Sequence, residues 1–417
     1  MRSDGWGNTS RNPDYKFQYF AEAPLLGDLI RLMNADAQID GRAYLSPVIE
    51  DEWDDLVTRN RAIAPWVLDF LDVQEVTLHV EKSPPQLIRF VEEALPVSLI
   101  DEWQGTDWSG AAATIRRYRV LPVDADAVWT VDVGSARGHL TAAEGWSAGG
   151  VDGHVRYALR QDVDLLLDLP ADGATLTLEL YGPASLRGLS MQGRDLEWTS
   201  APGEGDNQLV AVDVPPSLTA AAVDRLTLHF DGLFPLADLP VRVDDWAIGA
   251  TGVHLPADRP VYVRSAGKDA GDFGYIYVAG RQVAQNQLGY NLVALDADGD
   301  VLDSVAFNTL ISPDESARMA AWIASWPAGT VLAGAVRDEA SYNLGQDAVD
   351  ALRGVGVITD LRGAFRGSHA FIGVVGAAAG SAAESFMAWG VAEVAAGPPI
   401  DSAQISGGVG AIRAAPR

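Results

Sequence analysis

Gly145-Trp146-Ser147-Ala148-Gly149 fits the G-x-S-x-G spacing that lifts a nucleophilic serine onto a strand-to-helix elbow. The elbow needs a helix after the serine, and Gly149-Gly150-Val151-Asp152-Gly153 cannot start a stable one, because glycine is among the weakest helix formers. The expectation is that Ser147 is no nucleophile and that Trp146 packs or contacts ligand at the entry of a β-sandwich. Asp338-Glu339 is the acidic pair with the widest chemical scope. One reading has a carboxylate capping neighbouring backbone N–H groups where a helix is about to begin. The other has Arg337, Asp338 and Glu339 lining a polar groove. To cleave a glycosidic bond the two carboxylates would have to flank a cleft at about 5 to 10 Å, a distance that sequence does not supply. Asp296, Asp298 and Asp300 with Gly299 begin like a calcium loop, but the twelfth position is Phe307 rather than a bidentate carboxylate, so a hairpin turn is expected.

Other chemistry finds little footing. The six histidines, His79, His139, His154, His229, His254 and His369, include no pair at the helical i, i+4 metal spacing, and cysteine is absent, so neither a thiolate site nor a disulfide can form. No phosphate-cradling G-x-x-x-x-G-K-[ST] run and no dinucleotide fingerprint occurs. No catalytic residue, cofactor or metal is assigned. Asn8-Thr9-Ser10 matches the glycosylation pattern. Of the twelve tryptophans, Trp66, Trp322 and Trp326 fall on apolar helix faces and read as core. Trp103 and Trp108, in the polar stretch Asp101-Glu102-Trp103-Gln104-Gly105-Thr106-Asp107-Trp108, are with Trp146 the candidate exposed rings on which a sugar could stack.

The elements that must position these residues fall into blocks, and 417 residues suffice for about two to four domains. Over 1–121, helix and strand periods alternate: helices are expected over 25–33, 62–71 and from Pro85, strands over 42–45, 76–80, 97–102 and 114–120, a small α/β unit. Over 122–257 the helical period gives way to short strands, at 163–169, 174–180, 208–214, 225–230 and 241–248, separated by turns such as Pro170-Ala171-Asp172-Gly173. That pattern is expected of an antiparallel, jelly-roll-like β-sandwich. Over 258–390 strands return with two helices. Ser312-Pro313-Asp314-Glu315 opens the first with an N-cap, a proline at the first helical position and the acceptor of a capping box, and Met319, Trp322, Ile323 and Trp326 form its apolar face. Leu344, Ala348, Val349 and Leu352 form the second. The Gly-, Ala- and Pro-rich residues 391–417 read as a surface extension.

Composition narrows the partners. With 57 acidic against 30 basic residues and a net charge of −27, the phosphate-neutralising term that drives nucleic-acid binding would be repulsive overall, so none is expected. All but Lys16, Lys82 and Lys268 of the basic residues are arginine, a bias that speaks of composition before binding. Hydrophobic residues make up 48% and charged ones 21%, which is ordinary for folded chains, and no run reaches the roughly 18 apolar residues of a membrane helix. The start, MRSDGWGNTSRNPDYK, lacks a signal peptide's apolar stretch, so an exporting segment is expected outside these residues.

Within 261–386, Gly274-Tyr275-Ile276-Tyr277-Val278, Gly289-Tyr290-Asn291-Leu292-Val293, Val336-Arg337-Asp338-Glu339-Ala340-Ser341 and Ala370-Phe371-Ile372-Gly373 occur in the order that resembles the interleukin-like EMT-inducer (GG, or PANDER) domain. The resemblance implies a compact mixed α/β module that is secreted or outward-facing, without established catalytic residues, and with at least one sugar-binding relative. The stretch LDFLDVQEVTLHVEKSPPQLIRFVEEALPVSLIDEW and the sandwich behind it resemble the extracytoplasmic tails of bacterial multi-pass glycosyltransferases and YfhO-like membrane proteins, with a carbohydrate-binding-like jelly roll, although Asp72-Val73-Gln74-Glu75-Val76 departs from that pattern. Together these imply a multidomain α/β plus all-β chain that recognises glycan or envelope polysaccharide, or acts as a scaffold, outside the cytoplasm, and that is tethered to a membrane in a longer parent. A glycan-active hydrolase or transferase with scattered carboxylates, and a structural surface protein, are the alternatives.

Overall fold

The computed structural model describes residues 22–39, 42–43, 45–122, 128–142, 145–148, 154–205, 207–219, 223–236 and 245–416. In the first unit, apolar residues three and four apart put Trp53, Leu56, Val57, Ala64 and Val67 on the buried side of helix Trp53–Phe70, and Leu87, Phe90, Val91 and Ala94 on that of Pro85–Ala94. These faces share a core with Leu78 and Tyr118 of a three-stranded antiparallel sheet in which Ala112–Val120 lies between Glu75–His79 and Val97–Thr106. The helix expected over 62–71 starts earlier because Leu56 and Val57 extend the same face, and Leu45 opens a helix, Leu45–Asp51, instead of closing a strand. Strand Val97–Thr106 is exposed along most of its length.

The second unit is an antiparallel sandwich. One sheet runs Arg194–Leu196, Leu186–Met191, Asp224–Phe230, Asp162–Leu167; the other runs Trp198–Pro202, Gln208–Val214, Ala174–Tyr181, Gly408–Pro416, Trp129–Asp132. Period-two burial sets the register: Ala174, Leu176, Leu178 and Leu180 point inward while the residues between them are half-buried, and they meet Leu165, Leu226 and Leu228 from the facing sheet. Of the strand expected over 241–248, residues 241–244 lie outside the described residues, as do Asn8-Thr9-Ser10 and residues 149–153; Asp245–Ala247 forms a hairpin with His254–Pro256 instead of joining the sandwich.

The expectation of a surface extension at 391–417 is corrected. Val391–Ala396 pairs with Val261–Gly267 in the third unit, and Gly408–Pro416 is an interior strand of the sandwich with Val409, Ile412 and Ala414 buried. The glycines there serve close packing rather than looseness. A Cβ on Gly408 would come within 2.9 Å of the Tyr157 ring, and one on Gly410 within 2.7 Å of the Tyr181 ring, so only glycine lets the strand pass these aromatics. The third unit is thus an excursion from the sandwich, and the chain returns to complete it.

In that third unit, strands are ordered Arg281–Gln282, Phe273–Val278, Val261–Gly267, Val331–Asp338, Gly289–Leu295, Val301–Phe307, and Ser368–Val374 also pairs with Val331–Asp338. Helices Pro313–Ala324 and Gln346–Arg353 bury Met319, Ile323, Val349 and Leu352 against one face; the opposite face packs under Ile248 and Leu255 of the hairpin. Ser312 caps as expected, its Oγ accepting from the Asp314 N–H at 3.2 Å, but the Glu315 carboxylate reaches past the cap to the N–H of Asn308. The 296–300 segment is the expected hairpin turn: Asp296 Oδ1 accepts from the N–H groups of Asp298 and Asp300, and Gly299 takes a φ of +77°.

Candidate functional site

The six residues singled out from the sequence fall in three separate places. Trp103 and Trp108 belong to the hairpin of the first unit and are exposed, Trp108 at 95%. Trp146 is a correction, because it is 8% exposed, sits in the sandwich core and donates its indole N–H to the Asp164 carbonyl at 2.8 Å. An indole so held offers no face to a ligand. Ser147 beside it is buried, with its Oγ accepting from the Tyr157 N–H.

Arg337, Asp338 and Glu339 end the central strand of the third unit, and each is engaged within the fold. Arg337 donates to Asp272 and to the Asn286 carbonyl, and Asp338, at a φ of +63°, accepts from Lys268. Glu339 is 1% exposed; Oε1 accepts from the N–H groups of Ser341 and Tyr342, and Oε2 from that of Arg366. The carboxylate therefore ties two loops together ahead of helix Gln346–Arg353, which matches the capping reading, although the N–H groups it holds precede the helix. Glu339 offers no free oxygen edge to a glycosidic bond.

Two hydrogen-bonded relays were not foreseen. In the buried one, Tyr290 Oη meets His369 Nδ1 at 3.0 Å, and His369 Nε2 meets Glu384 Oε1 at 2.9 Å. Burial alone would raise the Glu384 carboxyl, but His369 and the N–H groups of Ile358 and Thr359 outweigh it and hold the group down at about 2. The exposed one crosses three adjacent strands of the sandwich: Asp162 Oδ1 to His229 Nδ1 at 2.7 Å and His229 Nε2 to Ser190 Oγ at 2.9 Å. Its order is that of an acyl-transfer relay. Ser190, however, lies mid-strand with partners Asp195 and Thr227 on either side, so the surrounding backbone N–H groups are committed to ladders rather than free to stabilise an oxyanion.

Convergence occurs elsewhere. A solvent-open cleft of about 730 Å³ lies where the three units meet, lined by Asp28, Arg31 and Arg59 from the first, Ser135 and Arg156 from the sandwich, and Trp389 from the third. Arg264 secures its rim by donating to Glu22 at 2.6 Å and to Glu393 at 2.7 Å, which joins the first unit to the third; burial pushes the Glu22 carboxyl up against the pull of Arg264. Arg59 grips Asp28 through Nε and Nη2, at 3.1 and 2.8 Å, and Arg156 is anchored on the carbonyls of Val133 and Ser147. Guanidinium groups, hydroxyl and amide groups and an indole in one cleft suit a polar ring-shaped ligand rather than an apolar one. The segments that build it are far apart in sequence. The one local signal is Arg31, which interrupts the apolar run between Ile30 and Leu32 on a short amphipathic helix.

No curated protein matches the chain. The family match that does occur covers neither the first unit nor any strand of the sandwich, and it lends nothing to the resemblance to bacterial glycosyltransferase tails. It takes in three of the four motifs of the third unit and leaves out Gly274-Tyr275-Ile276-Tyr277-Val278. Residues 288–377, from the strand Gly289–Leu295 through both helices to Ser368–Val374, match the interleukin-like EMT inducer family, and the third unit of this chain carries that domain.

Proposed function

We propose that this chain is a non-catalytic, extracytoplasmic recognition protein that binds glycan in the cleft between its three units. The observation that carries the reading is the cleft itself: three arginines and Trp389 are brought together by three separately built units, and ligand sites concentrate at such junctions. The interleukin-like EMT inducer match supports an outward-facing location, since an interleukin-like factor acts outside the cell. Glu339 is consumed by backbone N–H groups and Ser190 lacks free oxyanion donors in its strand, which weighs against the hydrolase reading.

Calorimetric titration of the full chain with envelope polysaccharide fragments, beside a reducing-end assay, tests this. Binding by one or two sugars and a few polar contacts falls in the micromolar-to-millimolar range, on the order of −4 to −8 kcal/mol, with no release of reducing ends. No heat at saturating fragment overturns the recognition claim, and steady release of reducing ends overturns the non-catalytic one.

A further inference from the structure

Arg31 is the most deeply buried guanidinium of the cleft, with its side chain 2% exposed. Nη1 donates to Glu52 at 2.8 Å, while Nε and Nη2 have no hydrogen-bond partner among the described residues. Those two nitrogens form the side-on edge of the group, whose parallel N–H bonds match the two oxygens of a carboxylate. The same cleft shows that edge occupied once already: Arg59 uses Nε and Nη2 to hold both oxygens of Asp28. A buried charge with an unfilled donor edge is costly to keep unless something fills it.

We infer that the unpartnered edge of Arg31, closed to solvent in this structure, is the carboxylate subsite of the cleft once the side chains over it give way, and that the ligand is an oligosaccharide containing a uronic acid, its carboxylate on Arg31 and a ring beside Trp389. The inference rests on the glycan reading and adds the ligand's charge to it. The charges around the site favour one negative group over two. Glu22, Asp28 and Glu393 also line the cleft, already held by Arg264 and Arg59, so a phosphate dianion meets more repulsion than a single carboxylate does. Ser135 also lines the cleft, but its hydroxyl is held by the Asp132 carbonyl and the Gly138 N–H, so the guanidinium edge rather than a free hydroxyl carries the inference.

The test titrates the full wild-type chain with a uronate oligosaccharide, with the same oligosaccharide after reduction of its carboxyls to alcohols, and with inorganic phosphate. The uronate form is expected to bind at least tenfold more tightly than the carboxyl-reduced form, and phosphate to compete poorly. Arg31→Lys, checked by its melting curve, keeps a charge but loses the fork, and is expected to erase most of that tenfold preference. Because the ligand comparison is made on the wild-type chain, it stands even where the variant does not fold. Equal binding of both oligosaccharides overturns the carboxylate subsite while leaving glycan recognition intact. Binding of neither overturns both. Phosphate competing as well as the uronate overturns the assignment to a carboxylate.

Discussion

Ile412 sits opposite Leu178 on the paired strands Gly408–Pro416 and Ala174–Tyr181, and both side chains are fully buried in the sandwich core. The two halves of that core therefore come from segments separated by the whole third unit. Removing residues 398–417 is expected to unfold the sandwich, and Ile412→Ala to cost about 2 to 5 kcal/mol through lost contacts and a cavity. Chemical denaturation read by tryptophan fluorescence checks this. An unchanged midpoint would mean that the strand is dispensable.

The third unit has its own core, so a fragment of it is expected to unfold cooperatively, provided that it keeps Val391–Ala396, which pairs with Val261–Gly267. Residues 258–397 should melt above residues 258–390. Equal melting temperatures would show that the added strand contributes nothing to the isolated unit.

Ser312→Ala removes the acceptor for the Asp314 N–H and is expected to lower stability by about 1 kcal/mol. This start of helix Pro313–Ala324 was legible because capping is local: the residues that do the work are neighbours in sequence. So was the 296–300 turn. The sandwich's last strand was not, since Gly408, Gly410 and Ala414 look like loop composition until Tyr157 and Tyr181 are placed beside them. Trp146 misled for a related reason. In sequence it stands with Trp103 and Trp108 as a candidate exposed ring, whereas the indole fills the sandwich core under the Asp164 carbonyl. The cleft was illegible altogether, because its arginines and Trp389 meet only when three units dock.

Trp146→Ala is accordingly expected to destabilise the sandwich by about 3 to 5 kcal/mol while leaving glycan affinity of the folded fraction unchanged. Titration calorimetry below the melting temperature separates the two effects. A large affinity loss at full folding would return Trp146 to the binding site.

Glu384 gives the fold a defined acid sensitivity. Its carboxyl is held at about 2 in the folded chain against an ordinary 4.5, so the folded state binds fewer protons than the unfolded one in that interval. The stabilisation is complete above about 4.5 and is lost as pH falls toward 2. Glu384→Gln should flatten that part of the stability profile and lower stability at pH 7 by up to ~3 kcal/mol. Parallel profiles for wild type and variant between pH 2 and about 5 would show that another group is responsible.

Hydrogen–deuterium exchange of the full chain, with and without a saturating uronate oligosaccharide, places the ligand most directly. Protection is expected in residues 22–34, 59–63, 134–139 and 385–393, stretches that line the cleft around Arg31 and Trp389, and little change at the hairpin that carries Trp103 and Trp108. Protection confined to that hairpin, or to the strand ends around Glu339, with the cleft unchanged, would contradict the account.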